Sequence, residues 1–311
     1  MPPQPPVVLT IAGFDPSSGA GITADIKTIA AHECYGVAAI TALTVQSTQG
    51  VRRVQAVDAG VLAESLECLV SDVGIQGVHV GMLANEENVK AVADFLERTG
   101  LPHVVIDPIL RSSSGAELLN AAGARAVVER LFPLAEVVTP NLEEAIALAR
   151  IQLGAGDTSA DLKPQSARPG NAGGASLEAS LEAMRQAARS LHGLGAANVV
   201  VTGGHLQKAI DLLGFSTAGG FEEEVFKAER QQSTSTHGTG CAFACAMACH
   251  LAHGRGIPEA VLLAKAYVSA AMSNAYPIGK GRGPLNHLYR MTQQRRPSQV
   301  ISERETTHSR N

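Results

Sequence analysis

The sequence predicts an α/β fold of three layers, in which helices cover both faces of a mostly parallel central sheet with a short antiparallel edge. Short apolar runs rich in valine and isoleucine alternate with amphipathic stretches of helical period, as repeated strand–helix units require. The runs lack polar alternation, which is typical of strands that are buried on both faces. The chain has 311 residues, of which 45% are hydrophobic, enough to bury a substantial core.

The parallel strands are predicted in six apolar runs, which span residues 7–12, 37–44, 77–83, 103–109, 136–139 and 198–201. The amphipathic stretches between them predict helices over residues 22–32, 61–73, 86–98, 121–131 and 181–194. The pattern then changes, because segments 212–216 and 223–228 flank Ala218-Gly219-Gly220, a hairpin turn that predicts the antiparallel edge. Two further helices are predicted over residues 240–253 and 258–275.

Residues 7–292 are predicted to form a single domain, flanked by a disordered start over residues 1–6 and a disordered tail over residues 293–311. Residues 154–174 are rich in Gly, Ala, Ser and Pro and have no apolar period, so this low-complexity segment is not expected to contribute to a packed core. We interpret it as a surface insertion rather than a domain boundary, because strand–helix units continue after it.

Composition and charge argue against several classes of function. The formal net charge is −4 and no basic run occurs, which disfavours nucleic-acid binding. No apolar run is long enough to span a bilayer, and the start of the chain has no signal-peptide pattern. Five cysteines, an odd number, favour a reducing compartment over a disulfide scaffold. We therefore expect a soluble cytoplasmic protein that binds neither nucleic acid nor membrane.

A glycine cluster from Gly13 to Gly21 follows the first predicted strand. Gly19-Ala20-Gly21-Ile22-Thr23-Ala24, which begins within this cluster, satisfies the relaxed dinucleotide-binding pattern. Several loop residues, however, separate it from the end of the strand. The second strand also ends in Thr44-Val45-Gln46, with no carboxylate to hold a ribose, so a Rossmann oxidoreductase is disfavoured. We interpret the cluster as a loop that lets the backbone approach a ligand at the C-terminal edge of the sheet; the alternative is a flexible connection.

A second glycine cluster, His237-Gly238-Thr239-Gly240-Cys241, leads into an apolar helix. The glycines leave the first backbone N–H groups uncovered and the helix dipole adds positive potential. Gly238 and Gly240 are therefore predicted to bind a phosphate or the developing charge on a transferring phosphoryl group. The same field lowers the pKa of a thiol, which predicts that Cys241 is a thiolate near neutral pH and accepts a proton from a substrate hydroxyl.

Carboxylates occur at two successive strand ends. Asp107 ends one predicted strand, and Asn141, Glu143 and Glu144 follow the next. Such carboxylates can share one Mg²⁺ through water, which suits a metal that arrives with nucleotide phosphates. Each also has a purely structural interpretation, Asp107 as a turn residue and the two glutamates as charges in a first helical turn.

We assign no catalytic role to the other cysteines and the histidines in and around the helix that follows the second glycine cluster. Cys245 and Cys249 follow Cys241 at helical spacing, and we interpret them as small buried hydrophobes rather than metal ligands. The histidines are interpreted as surface or capping residues; they are His237, His250 and His253.

Taken as an ordered set, these residues resemble the hydroxymethylpyrimidine and phosphomethylpyrimidine kinases of thiamine biosynthesis, which have a ribokinase-like fold. The resemblance runs from about residue 7 to residue 289, interrupted near residues 154–174. The matching pieces are Thr10-Ile11-Ala12-Gly13, Asp15-Pro16-Ser17, Gly19-Ala20-Gly21-Ile22, Ala24-Asp25-Ile26-Lys27-Thr28, Ile40-Thr41-Ala42-Leu43-Thr44, Thr139-Pro140-Asn141-Leu142, Gly203-Gly204-His205-Leu206, His237-Gly238-Thr239-Gly240-Cys241 and Gly281-Arg282-Gly283-Pro284-Leu285-Asn286-His287.

The resemblance implies ATP-dependent phosphorylation of 4-amino-5-hydroxymethyl-2-methylpyrimidine and then of its monophosphate, with Mg²⁺, by a homodimer. It also implies a role for Gln46, whose amide can donate and accept at once and so read the edge of the pyrimidine ring. The implied site residues are Cys241, Gly238 and Gly240 for catalysis, Gly13, Asp25, Gln46 and Met82 for the pyrimidine, Asn141 and Lys265 for the nucleotide, and Asp107 and Glu144 for Mg²⁺.

One position departs from the resemblance. The family usually has lysine before Gly-Gly-His, whereas this chain has Thr202, which we still place at the nucleotide. Arg111, in a serine-rich loop after Asp107, is our candidate for the missing positive charge. Two alternatives stay open, a pyridoxal or pyridoxine kinase and a non-catalytic pyrimidine-sensing module. Gln46 and the Thr41-Ala42-Leu43-Thr44 context favour pyrimidine over pyridoxal.

Overall fold

The computed structural model describes residues 3–152, 177–204, 209–229, 231, 233 and 235–293. The predicted insertion over residues 154–174 lies outside these residues, as do residues 1–2 and 294–311 of the predicted disordered ends. The described strands are β1 (Val7–Phe14), β2 (Tyr35–Ser47), β3 (Gly50–Ala56), β4 (Gly77–Val80), β5 (Val104–Ile106), β6 (Val137–Val138), β7 (Asn198–Thr202), β8 (Ala209–Thr217) and β9 (Gly220–Ala228). The described helices are α1 (Gly21–Ala31), α2 (Ala59–Asp72), α3 (Glu86–Thr99), α4 (Ala121–Ala126), α5 (Leu142–Gln152), α6 (Leu177–Gly193), α7 (Thr239–Ala252), α8 (Ile257–Ser273) and α9 (Tyr289–Gln293).

The described strands form one sheet in the order β3-β2-β1-β4-β5-β6-β7-β8-β9. The pairs from β2 to β7 are parallel. Strand β8 then pairs antiparallel with β7 and forms a hairpin with β9 at the predicted turn. The predicted mostly parallel sheet with an antiparallel edge is confirmed.

A second antiparallel edge, which the sequence analysis does not predict, lies on the other side of the sheet. Strand β3 pairs antiparallel with β2 through a short turn at Thr48 and Gln49, and Arg52 and Arg53 on this strand are exposed. An antiparallel pair that is partly open to solvent needs no continuous apolar run. The turn also lacks the Asn-Gly or Asp-Gly pair that marks a hairpin in sequence.

The three predicted layers are present, and the apolar strands divide their side chains between two cores. On β1, Leu9 and Ile11 belong to the core formed with α2 to α6, whereas Val8 belongs to the core formed with α1, α7 and α8. On β5, Ile106 joins the first core and Val105 the second. The strands are apolar throughout because helices cover both of their faces.

Helix α7 is buried along most of its length, and its small residues allow this. Cys245 and Cys249 are fully buried, which confirms their interpretation as small hydrophobes. At Gly77 on β4, an added side chain would lie 3.0 Å from the carbonyl oxygen of Ala248, so helix and strand approach closely. This packing brings the N-terminus of α7 to the C-terminal edge of the sheet.

A buried ion pair ties α8 to the sheet. Lys265 Nζ donates to Oδ2 of Asp211 on β8 at 2.6 Å, and Oδ1 of the same carboxylate accepts from the backbone N–H of Gly203. The two side chains are only 10% and 9% exposed. Because a buried charge is costly unless it is paired, neither partner is expected to be dispensable.

Replacing Lys265 with Met is expected to lower the free energy of unfolding by about 3–5 kcal/mol, because the Asp211 carboxylate would stay buried without its partner. Urea denaturation measures this quantity. Arg255→Met is the matched control, since the pair between Arg255 and Glu259 is exposed and such pairs contribute at most about 1 kcal/mol. Equal losses in the two variants would show that the burial of the Lys265 pair has no energetic consequence.

Candidate active site

A cavity of about 1000 Å³ opens at the C-terminal edge of the parallel strands. Strand β1 lies between β2 and β4. The connection after β1 leads to β2 on one side of it, and the connection after β3 returns to β4 on the other side. Such a switch point is where open α/β sheets bind ligands. All twelve candidate site residues line this cavity: Gly13, Asp25, Gln46, Met82, Asp107, Asn141, Glu144, Thr202, Gly238, Gly240, Cys241 and Lys265.

The loop between β1 and α1 is held in shape by Asp15. Its Oδ1 accepts from the N–H and hydroxyl of Ser17 at 2.8 and 2.7 Å, and its Oδ2 accepts from the N–H groups of Gly19 and Ala20. Burial acts to raise the pKa of Asp15, but hydrogen bonds from His237 and Ser17 keep it below its ordinary value. Asp15 is therefore an ionised anchor whose acceptor capacity is used within the protein.

His237 links this loop to Gln46. Its Nε2 lies 2.8 Å from Asp15 Oδ2 and 3.1 Å from the side-chain amide of Gln46. The amide nitrogen of Gln46 is the atom nearest to His237 Nε2. Since Nε2–H donates to the ionised carboxylate, we assign the amide turned by 180°, so that its oxygen accepts from His237. The other end of the amide lies 3.1 Å from the Thr44 hydroxyl, whose proton goes to the Phe14 carbonyl. The amide is thus fixed, with donor and acceptor capacity left for a ligand.

The N-terminus of α7 lies directly against the same loop. Gly238 has a φ of 78°, in the left-handed region, and a side chain there would overlap the carbonyl oxygen of Gly19. Gly240 faces the carboxylate of Asp107, since an added Cβ would lie 3.9 Å from Asp107 Oδ2. Glycine at both positions leaves the first N–H groups of α7 uncovered, an arrangement that favours anions.

The protonation state of Cys241 differs from the prediction. Burial raises the pKa of its thiol, and the negative charges of Asp107 and Asp25 raise it further, well above the ordinary value. The thiol also donates a hydrogen bond to Asp107. These effects outweigh the field of the helix N-terminus, so Cys241 is a thiol near neutral pH and the predicted thiolate is wrong.

Asp107 and Glu144 bring two carboxyl groups to the cavity. Glu144 lies in the first turn of α5, where its Oε2 accepts from the N–H of Asn141 at 3.0 Å while Asn141 Oδ1 accepts from the N–H of Glu144 at 2.9 Å. Burial raises the pKa of Asp107 to about 6, and burial together with the Asp107 charge raises that of Glu144 to about 8. At pH 7 Asp107 is mostly ionised, whereas Glu144 mostly keeps its proton.

These two carboxyl groups fit a divalent cation. Carboxylate oxygens, supplemented by phosphate and water, are the ligands that Mg²⁺ prefers. The repulsion that helps to raise the pKa of Glu144 is the interaction that a bound cation would relieve, with release of the proton. Glu143 is exposed and lines the same cavity.

Thr202 ends β7 beside Asn141, because its N–H donates to the carbonyl of Pro140 at 2.9 Å. Lys265 reaches the cavity while paired with Asp211. Among the described residues, the basic side chains that line the cavity are Arg111, Lys265 and Arg282. The guanidinium of Arg282 donates to the Ser113 carbonyl at 2.9 Å. Arg111 lines the cavity, and no ion pair is found for it in the described part of the chain.

Sequence reasoning missed two residues that organise the cavity. The interpretation of His237 as a surface or capping residue is wrong, because its side chain is only 11% exposed and contacts both Asp15 and Gln46. Asp15 belongs to one of the matching pieces of the family resemblance, but the sequence analysis assigns it no function. An aspartate two positions before serine is a pattern that closes a loop through its side chain, and this signal could have found it. His253 does end α7, with its N–H donating to the Cys249 carbonyl.

The fold and this cavity define a small-molecule kinase, with an open helix N-terminus and two carboxyl groups at the C-terminal edge of the sheet. The sequence model of the phosphomethylpyrimidine kinase family matches residues 15–168 and 173–286, and the chain belongs to that family. It is 37% identical over 287 residues to the hydroxymethylpyrimidine/phosphomethylpyrimidine kinase of Streptomyces coelicolor, covering 92% of this chain and 96% of that relative. It is 39% identical over 283 residues to the thiamine biosynthesis bifunctional protein ThiED of Geobacter sulfurreducens, covering 90% of this chain and 52% of that longer protein.

Solved structures support the expected ribokinase-like fold. The pyridoxal kinase of Bacillus subtilis in an ADP complex matches with a TM-score of 0.75 and 30% identity, over 93% of this chain and 100% of that chain. The phosphomethylpyrimidine kinase of Clostridium difficile matches with a TM-score of 0.67 and 30% identity, over 86% of this chain and 99% of that chain. In the part of the chain that the structure describes, every helix is too short or too polar to cross a membrane.

The raised pKa of Cys241 predicts slow alkylation near neutral pH, because the thiolate is the reactive form. Iodoacetamide should modify Cys241 more slowly than the exposed Cys68 at pH 7, and the rate should rise with pH. Asp107→Asn removes a charge that raises this pKa, so we expect it to speed alkylation at pH 8. Mass spectrometry of the labelled peptides gives both rates.

Asp94→Asn is the matched control for the alkylation experiment, because this carboxylate is exposed on α3. Its Cys241 should react at the parent rate. An Asp107→Asn variant that also reacts at the parent rate would contradict the coupling between Asp107 and Cys241.

Proposed function

We propose that this chain is an ATP-dependent kinase for 4-amino-5-hydroxymethyl-2-methylpyrimidine and then for its monophosphate, in thiamine biosynthesis. The family and the names of the relatives support this substrate. The observation that carries the proposal is that Cys241, Asp107 and the open N-terminus of α7 share one cavity with the fixed amide of Gln46. Complexes of similar kinases with ADP and with AMP-PCP support ATP as the co-substrate.

Cys241 and Asp107 act together on the substrate hydroxyl in this proposal. The thiol already donates a hydrogen bond to Asp107, which is mostly ionised at pH 7. As the thiol proton moves to Asp107, the sulfur becomes free to accept the proton of the substrate hydroxyl. The substrate oxygen then bonds to the terminal phosphorus of ATP, and the bond from that phosphorus to ADP breaks.

The charge of the transferring group is met by the N–H groups near Gly238 and Gly240. Asp107 and Glu144 would hold Mg²⁺ through water, which leaves Asp107 able to take the thiol proton, and the ion would supply positive charge to the nucleotide phosphates. Asn141, Thr202 and Lys265, which line the same cavity, are assigned to the nucleotide.

The pyrimidine ring is assigned to the part of the cavity near Gly13, Gln46 and Met82. An added Cβ at Gly13 would lie 2.9 Å from the sulfur of Met82, so a side chain there would displace that thioether. The hydroxyl of Thr41 donates to the Met82 carbonyl and holds this residue in place. A flat ring can then pack on the sulfur while the Gln46 amide donates and accepts at its edge.

Pyridoxal is the second candidate substrate, because the B. subtilis pyridoxal kinase is similar over nearly all of this chain. An assay that couples ADP release to absorbance, run with hydroxymethylpyrimidine, its monophosphate and pyridoxal, separates the two. We expect the highest kcat/KM with the pyrimidine. A higher value with pyridoxal would replace the proposed substrate, and no turnover with any of the three would overturn the proposed function.

A cytoplasmic homodimer completes the proposal. All five cysteines are free thiols, which suits a reducing compartment.

Ile40, Leu43 and Val45 on β2 are exposed large hydrophobic residues, and clusters of such residues mark contact surfaces between proteins. Sedimentation of the Leu43→Glu variant tests the interface: a shift from dimer to monomer supports it, and an unchanged dimer places the interface elsewhere.

Replacing Cys241 with Ala is expected to lower kcat by about 10²–10⁴-fold, the usual range for a general base, with little change in the binding of the pyrimidine. Cys241→Asp should retain more activity, because a carboxylate can also accept the proton. Steady-state kinetics and calorimetric binding measure the two effects. Cys245→Ala, one turn further along α7, is the control and should keep kcat. A near-normal kcat in Cys241→Ala would remove the sulfur from the reaction.

Thr202→Lys is expected to raise kcat/KM for ATP, because it supplies a charge-assisted contact, which contributes about 1.5–3 kcal/mol against roughly 1 for a neutral one. If Arg111 compensates for the missing lysine, Arg111→Ala should harm the parent more than it harms the Thr202→Lys variant. A double-mutant cycle of four enzymes with ATP varied measures this coupling. Additive effects would show that Arg111 does not compensate.

A further inference from the structure

A buried cluster of three polar side chains lies at the wall of the cavity. It consists of Thr10 on β1, Asp25 on α1 and His79 on β4, each with no exposed surface. Asp25 Oδ2 accepts from the Thr10 hydroxyl at 2.7 Å and lies 3.3 Å from His79 Nδ1. Burial acts to lower the pKa of His79, but the adjacent Asp25 carboxylate raises it overall, so Nδ1–H donates to that carboxylate.

The other oxygen of Asp25 has no such support. Oδ1 is buried and finds no hydrogen-bond partner among the described residues. An unpaired buried carboxylate oxygen is costly, so a site of this kind is expected to meet a donor when a ligand binds. Asp25 and His79 line the cavity together with Gly13, Gln46 and Met82, the part assigned to the ring.

A metal ion is an alternative occupant of this neighbourhood. Single ligand atoms of Asp25, His79 and Cys245 lie within 4.8 Å of one another. The contacts favour hydrogen bonding instead, because the Cys245 thiol donates to the main-chain carbonyl of Asp25 at 3.6 Å and His79 Nδ1 faces Asp25 Oδ2. Burial also raises the pKa of the Cys245 thiol to about 11, so the sulfur keeps its proton.

We propose that His79 is a positioning residue for substrate selection: with Thr10 it holds Oδ2 of Asp25, so that Oδ1 accepts a hydrogen bond from the exocyclic amino group of the pyrimidine. This inference rests on the proposed function. His79 itself does not touch the reacting atoms and acts through the Asp25 carboxylate.

The chemistry of the two candidate rings makes this contact selective. In the aminopyrimidine, the ring position next to the hydroxymethyl group carries an amine, which donates. In pyridoxal, the corresponding neighbour of the hydroxymethyl group is an aldehyde, which only accepts. A carboxylate oxygen without a proton pairs with the first and repels the second, and sites with buried unpaired groups reject such partners strongly.

The test compares two substrates, hydroxymethylpyrimidine and its analogue that lacks the 4-amino group. His79→Leu should lower kcat/KM for the amino compound by about 10- to 100-fold, the effect of losing a hydrogen bond to a charged group. It should leave kcat/KM for the deamino analogue nearly unchanged. His79→Asn keeps a donor close to the position of Nδ1 and should recover part of the loss.

His32→Asn is the matched control, because His32 is also buried with an unpartnered Nε2 but does not line the cavity. It should leave both kcat/KM values unchanged. Should His79→Leu fail to fold, Thr10→Val removes the other donor to Asp25 Oδ2, and a smaller preference for the amino compound is then expected.

Equal losses for the two substrates in the His79 and Thr10 variants would mean a merely structural role and would overturn the inference. A parent enzyme that prefers the amino compound, with variants that keep the whole preference, overturns the inference while the proposed function stands. A parent enzyme that phosphorylates neither pyrimidine overturns the proposed function, and the inference falls with it.

Discussion

The site depends on one close contact, between the N-terminus of α7 and the glycine loop after β1. Gly238 meets the carbonyl of Gly19 with no room for a side chain, and His237 hydrogen-bonds to Asp15 in the same loop. The contact exposes the first N–H groups of α7 to the cavity and places the Cys241 thiol beside them. Through His237 it also fixes the Gln46 amide, so the parts of the cavity that we propose for the anion and for the ring have one structural origin.

Burial decides how the charged groups of this cavity behave. A helix N-terminus alone would favour a thiolate at Cys241, but the nearby carboxylates of Asp107 and Asp25 act in the opposite direction and prevail. A thiol that keeps its proton can accept another only if it passes its own to a neighbour. Asp107, with a pKa of about 6 and a hydrogen bond from that thiol, is the neighbour that can take it.

The layers of the fold could be predicted from local sequence patterns, and so could the convergence of Asp107, Asn141 and Glu144 at one edge of the sheet. Asp25, Gln46, Met82 and Lys265 were placed at the site by the family resemblance, and they line the same cavity. Apolar runs identify the buried strands, and the carboxyl ends of parallel strands meet at one edge, so residues placed there converge. Contacts between distant segments could not be predicted in this way. The contact of His237 with Gln46 and that of His79 with Asp25 join residues far apart in the chain. Strand β3 was not predicted, because it is polar and lies at an edge of the sheet.

Strand order alone does not separate this sheet from a dinucleotide-binding one. The order β3-β2-β1-β4-β5-β6 repeats the 3-2-1-4-5-6 order of the Rossmann fold. The difference lies in direction, because β3 runs antiparallel to β2 and follows it through a short turn instead of a crossover helix. The end of β2 therefore carries the amide of Gln46, fixed by His237, where a Rossmann fold has a carboxylate for a ribose. An amide that donates and accepts suits a heteroaromatic edge, which supports the proposed small ring over a dinucleotide as the ligand of this sheet edge.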